Sequence, residues 1–94
     1  MILEKNMQYK IINRSEKVIL KDIQRIPKKY LQKIFEKLEL LSNNWIDDFQ
    51  IKKLNNYKLC DYRLRVWDFR ILFNLDVEKN EIIIFRILHR SKLY

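Results

Sequence analysis

The chain has 94 residues, 48% of them hydrophobic and 34% charged, with 20 Lys/Arg against 12 Asp/Glu and a net charge of +8. That is one domain (residues 1–94) with ample apolar content for a packed core, so disorder is excluded and an acidic partner is favoured. One cysteine, one histidine and no glycine exclude an internal disulfide, a cysteine zinc cluster, a two-histidine metal site and every phosphate-cradling glycine loop.

No apolar run approaches the ~20 residues of a membrane span, and Met1–Asn6 carries no signal-peptide core. The expected setting is therefore reducing and cytoplasmic, with no membrane contact, no metal and no cofactor. Residues 1–50 hold ten basic against seven acidic residues, and residues 51–94 ten against five. The second half is the more basic.

Met1–Asn6 has no period and reads as a loose leader; Met7–Ile12 reads as a first strand. Asn13-Arg14-Ser15-Glu16 has the form of a helix start with a capping box. The helix that follows spaces Ile19, Ile23 and Ile26 on one face. Pro27 ends it and opens the next helix. There Leu31, Ile34, Leu38 and Leu41 recur at helical spacing, with Tyr30 and Phe35 widening the stripe. Ser42-Asn43-Asn44 closes this second helix, and Trp45–Asn56 reads as a connector carrying Lys52 and Lys53.

Three strands then follow. Tyr62, Leu64 and Val66 alternate with Asp61, Arg63 and Arg65, a period of two. Phe69–Val77 alternates in the same way. Glu81–Arg90 sets Ile83, Phe85, Ile87 and His89 against Ile84, Arg86, Leu88 and Arg90. Short breaks at Val66-Trp67-Asp68 and Glu78-Lys79-Asn80 make this an antiparallel meander. The fold class is α+β, in the order β-α-α-β-β-β, with a helical hairpin on one face of a mostly antiparallel sheet. The helices are expected over Tyr62, Leu64, Ile71, Phe73, Ile83 and Phe85. Arg63, Arg65, Arg70, Arg86 and Arg90 are expected on the opposite, open face. Tyr62, Phe69, Phe73 and Phe85 are core by this pattern, and Cys60 is a small buried hydrophobe.

The run DYRLRVWDFRILF, an apolar strand and then HRSKLY resemble the RelE/ParE superfamily of bacterial and archaeal toxin–antitoxin toxins. The likeness, with the order of elements, covers roughly residues 7–94. It implies a small toxin held inactive by a cognate acidic antitoxin, with operator DNA met only through the antitoxin complex. RelE-type members cut mRNA in the ribosomal A site without a metal. ParE-type members poison DNA gyrase and lack the nuclease residues. A third outcome is a degenerate toxin that acts only as antitoxin partner and co-repressor.

On the nuclease reading, the resemblance points to Arg63, Arg65, Arg70, Arg90, His89 and Tyr94. Catalysis is expected of Arg65, Arg70, Arg90, Tyr94 and His89, and RNA binding of Arg63 together with Lys52, Lys53, Arg86 and Trp67, which the residue pattern adds. The family's turn glycine is replaced by Trp67, so another turn type is expected there, positive φ being unfavourable for tryptophan. The chain also ends at Tyr94, where many relatives run a few residues further.

The residue types suit the chemistry. Metal-free RNA cleavage needs the 2′-OH deprotonated, the 5′-oxygen protonated and the phosphorane charge stabilised. Arginine forks suit phosphate oxygens, and a tyrosine or histidine can move the protons. By alternation, however, His89 falls on the core face, opposite Arg90.

Overall fold

The computed structural model describes residues 8–43 and 51–92. Strand β1 (Lys10–Asn13) leads into helix α1 (Glu16–Gln24) and helix α2 (Lys28–Asn43). Strands β2 (Ile51–Lys53), β3 (Tyr62–Val66), β4 (Phe69–Asp76) and β5 (Glu81–His89) follow, and a 3-10 turn covers Arg90–Lys92. The sheet order is β1-β5-β4-β3-β2. β1 runs parallel to β5, and every other pair is antiparallel. The meander and helical hairpin are as expected, but the Trp45–Asn56 connector contains a short edge strand. Three residues are too few to show a period.

Ser15 caps α1, its side chain accepting from the Val18 N–H at 3.3 Å. The N–H groups of Tyr30 and Leu31 donate to the Pro27 carbonyl, so the proline opens α2 where its missing N–H is harmless. The helices, with Ile26 between them, lay Ile19, Ile34, Leu38 and Leu41 on Leu64, Val66, Ile71, Phe73, Ile82, Ile84 and Ile87. Phe35 falls outside this core and is exposed.

The face assignment holds for β3 and β4 but fails in the first half of β5. Leu72 pairs with Arg86 and Phe73 with Ile84, so Phe85 is an extra residue in β5. This bulge breaks the period of two. Ile82 and Ile84 lie under the helices, whereas Ile83 and Phe85 pack on the opposite face with Leu72. That opposite face is not fully open. Leu54, Tyr57 and Cys60, from the segment between β2 and β3, cover its centre. Burial there raises the Cys60 thiol pKa and holds it in the unreactive form.

Candidate functional site

The cationic site is built from one end of the β3–β4 hairpin. Val66 pairs with Phe69, which leaves a two-residue turn, Trp67-Asp68. Trp67 adopts φ 53°, the left-handed conformation glycine would supply, so the expected change of turn type does not occur. Such a backbone costs about 1 kcal/mol or more in a non-glycine residue. Two contacts hold it. The indole meets Tyr30 of α2 edge-on at 5.4 Å, and the Trp67 carbonyl accepts from Arg70 Nη1 at 2.7 Å.

Arg70 is the centre of the site. It pairs with Arg65 across the ladder, and Arg63 follows Arg65 on the same face. Lys52 of β2 lies directly opposite Arg63. Arg90 comes from the 3-10 turn, where its N–H donates to the Asp68 carbonyl at 2.7 Å and its Nε lies 3.6 Å from Asp68 Oδ1. Asp68 thereby ties the chain after β5 to the hairpin turn.

Arg70 is only 8% exposed. Nη1 also donates to the Phe69 carbonyl at 2.9 Å, but no carboxylate pairs with it among the described residues. Its pKa is lowered by burial first, then by Arg63, Arg65 and Arg90, against a smaller opposing effect from Asp68. The Nε groups of Arg70 and Arg63 are buried and have no hydrogen-bond partner. Buried donors of this kind normally find one. The arrangement is a preorganised cation cluster suited to an anion that the described residues do not supply.

The other sequence-assigned residues are dispersed. Arg86 is a correction: it leaves the cluster for Asp22 of α1, with Nε and Nη2 each 2.8 Å from a carboxylate oxygen. The Ile87 N–H donates to the same carboxylate at 3.0 Å. β1 pairs with β5 only as far as Ile84, so Asp22 satisfies a backbone donor on β5 beyond that pairing. Hydrogen bonding to Asp22 raises the Arg86 pKa. Lys53 pairs with Tyr62, whose ring faces the helices, and so lies on the other face from Lys52.

His89 also faces the helix side, stacked edge-on against Phe69 at 5.4 Å. Its Nδ1 lies 2.9 Å from the Ser91 hydroxyl and 3.2 Å from the Ser91 backbone nitrogen. Trp67 remains 55% exposed at the rim. Tyr94 lies outside the described residues. No cluster of three or more metal-ligating groups occurs among the described residues, nor any helix long and apolar enough to cross a membrane.

Asp22 and Asp68 are the functional-site residues the sequence reading missed. Asp22 left a signal, since it falls between Ile19 and Ile23 on an apolar helix face. Asp68 left none beyond its place in a turn.

Two helices packed on a five-stranded, mostly antiparallel sheet are the fold of the RelE structures this chain resembles. Residues 14–94 match the family described as ParE toxin of type II toxin-antitoxin system, parDE, and the chain belongs to that family. Among solved structures it is similar to the toxin–antitoxin complex RelBE2 from Mycobacterium tuberculosis (TM-score 0.75, 21% identity, 96% of this chain and 100% of that one). It is also similar to the archaeal RelE–RelB complex from Pyrococcus horikoshii (0.71, 21%, 92% and 99%). A third similar structure is the RelB–RelE complex from Methanococcus jannaschii (0.66, 27%, 88% and 94%). No curated protein matches the chain.

Proposed function

We propose that this type II toxin is a metal-independent endoribonuclease that cuts mRNA in the ribosomal A site and so arrests translation in the cytoplasm. The observation that carries the reading is Arg70, buried among Arg63, Arg65 and Arg90 with an unpartnered Nε. A scissile phosphate supplies the negative charge this cluster lacks, and more so in the phosphorane than in the ground state. Arg65, Arg70 and Arg90 stabilise the phosphorane; Arg63 and Lys52 hold the neighbouring backbone; Trp67 borders the site. Tyr94 is assigned the proton transfer, since His89 lies on the other side of the sheet. Between bouts of activity a cognate acidic antitoxin covers the same cations, and operator DNA is met through that complex.

The second reading is gyrase inhibition without catalysis, favoured by the match to the ParE toxin family. The deciding experiment pairs single-turnover cleavage of message in a programmed ribosome with a gyrase supercoiling assay. Cleavage, lowered by about 100-fold in Tyr94→Phe as for a lost general acid or base, supports the nuclease. Intact message with arrested supercoiling selects the other reading.

A further inference from the structure

Strand β5 ends by sending two consecutive residues in opposite directions. Arg90 goes to Asp68 and the arginine cluster, and His89 goes to the helix side. On that side lies a cleft of about 160 Å³ between the C-terminal end of α1 and the end of the sheet. Its floor is apolar, with Ile26, Phe69 and Ile87, and its rim carries Arg25, His89 and Lys92. The one acid in the lining, Asp22, is already engaged by Arg86 and by the Ile87 N–H. Arg25 and Lys92 are exposed, and neither forms an ion pair among the described residues. With Nδ1 engaged by Ser91, Nε2 is the ring nitrogen His89 keeps for a ligand.

We infer that this cleft is a nucleotide subsite, seating one nucleobase on the Ile26–Phe69–Ile87 floor with its phosphate on Arg25 and Lys92. The size matches the chemistry, since an apolar cavity of ~150 Å³ accepts a six-membered aromatic ring. A base presents an apolar face and an edge of donors and acceptors, and the cleft offers an apolar floor and the Nε2 edge of His89. Inorganic phosphate alone would leave the floor unused. The inference deepens the nuclease reading: a single strand held by the arginine cluster continues around the end of β5, past Arg90, into this cleft. His89 then binds substrate rather than moving the reacting protons.

His89 is the only histidine in the chain, so its ring resonances report on the cleft without assignment ambiguity. The full chain is titrated with uridine 5′-monophosphate and, separately, with inorganic phosphate, and followed by proton NMR. The nucleotide is expected to shift the His89 ring protons saturably and further than phosphate does. Arg25→Gln and Lys92→Gln each weaken that titration several-fold, while Lys33→Gln, an equal charge change on α2, leaves it unchanged. With a short 2′-O-methylated single-stranded oligoribonucleotide, the double variant Arg25→Gln/Lys92→Gln also reduces the salt slope by about 0.7, one phosphate contact. If His89 does not respond to nucleotide, or the Lys33 variant weakens binding as much as the cleft variants, the inference is overturned. Programmed-ribosome cleavage, measured alongside, separates the two ideas. Cleavage with a silent His89 removes the cleft and leaves the nuclease; a responsive His89 without cleavage does the reverse.

Discussion

Arg70 and Arg86 sit on adjacent strands, Arg70 buried and Arg86 partly so, and the fold treats them in opposite ways. Arg86 meets a buried carboxylate through two 2.8 Å hydrogen bonds, and its pKa rises. Arg70 meets two backbone carbonyls and three other arginines, and its pKa falls. For a base, a raised folded-state value means the charge stabilises the fold. That contribution is present below the ordinary arginine pKa and lost only as pH rises through the higher folded value. A lowered value means the charge opposes folding wherever it is held, including all of the neutral range. Neither group titrates near neutrality, so the contrast is constant there. Arg86 is paired within the fold, while Arg70 is a buried charge with no carboxylate partner among the described residues.

The comparison breaks most visibly at Asp22. Asp22→Ala leaves Arg86 without its partner and the Ile87 N–H without an acceptor, and should cost about 3 kcal/mol in urea unfolding. This is the low end for a broken buried pair, because the Arg86 side chain keeps 34% of its exposure. A loss below about 1 kcal/mol would mean the pair behaves as a surface bridge.

Arg70→Met gives the opposite pattern. The long apolar chain keeps the packing and removes the opposed charge, which offsets the two carbonyl hydrogen bonds that are lost, so the melting temperature should stay close to the parent's. Single-turnover cleavage should fall by about 100-fold or more, the scale of a lost oxyanion donor. Stability and activity moving apart in this way is the signature of a site held ready at the fold's expense. A variant that loses both in proportion would make Arg70 a structural arginine like Arg86.

A third expectation sharpens the contrast without changing Arg70. Sulfate, a phosphate-like dianion, should bind the cluster and stabilise the fold beyond chloride at matched ionic strength. The gain approaches about 1.4 kcal/mol at ten times the dissociation constant. It should survive in Arg86→Met, relative to that variant's own baseline, and vanish in Arg70→Met. Equal stabilisation of the two variants would show general salting-out rather than a site.

Much of this contrast was legible in the residues, and the rest has identifiable causes. The period of two in Tyr62–Val66 and Phe69–Asp76 put Arg63, Arg65 and Arg70 together because both strands are regular and cross a two-residue turn. The same rule misplaced Ile83 and Phe85, because a bulge adds one residue without leaving a composition signal. Arg86 lies beyond the bulge and keeps the face the alternation predicts, opposite Leu72, but its side chain turns to Asp22. Its partner is 64 residues away in sequence, and one-dimensional patterns do not carry such pairings. The segment over Leu72 and Phe85 escaped notice because Leu54, Tyr57 and Cys60 follow no period at all.

The smallest effect concerns the turn that feeds Arg70 its carbonyl. At φ 53° Trp67 carries left-handed strain of about 1 kcal/mol, offset in part by its edge-on contact with Tyr30. Removing the indole forfeits about 0.5–1.5 kcal/mol of aromatic contact in either Trp67→Ala or Trp67→Gly. Only glycine relieves the backbone as well, although it adds entropy to the unfolded chain. Trp67→Gly should therefore stay within about 0.5 kcal/mol of the parent, while Trp67→Ala falls roughly 1 kcal/mol below it. This reverses the usual ranking of alanine over glycine. The urea midpoints of the three proteins decide the matter. If Trp67→Ala equals or exceeds Trp67→Gly, the turn does not require the left-handed backbone, and the Trp67 carbonyl is not fixed for Arg70 by strain.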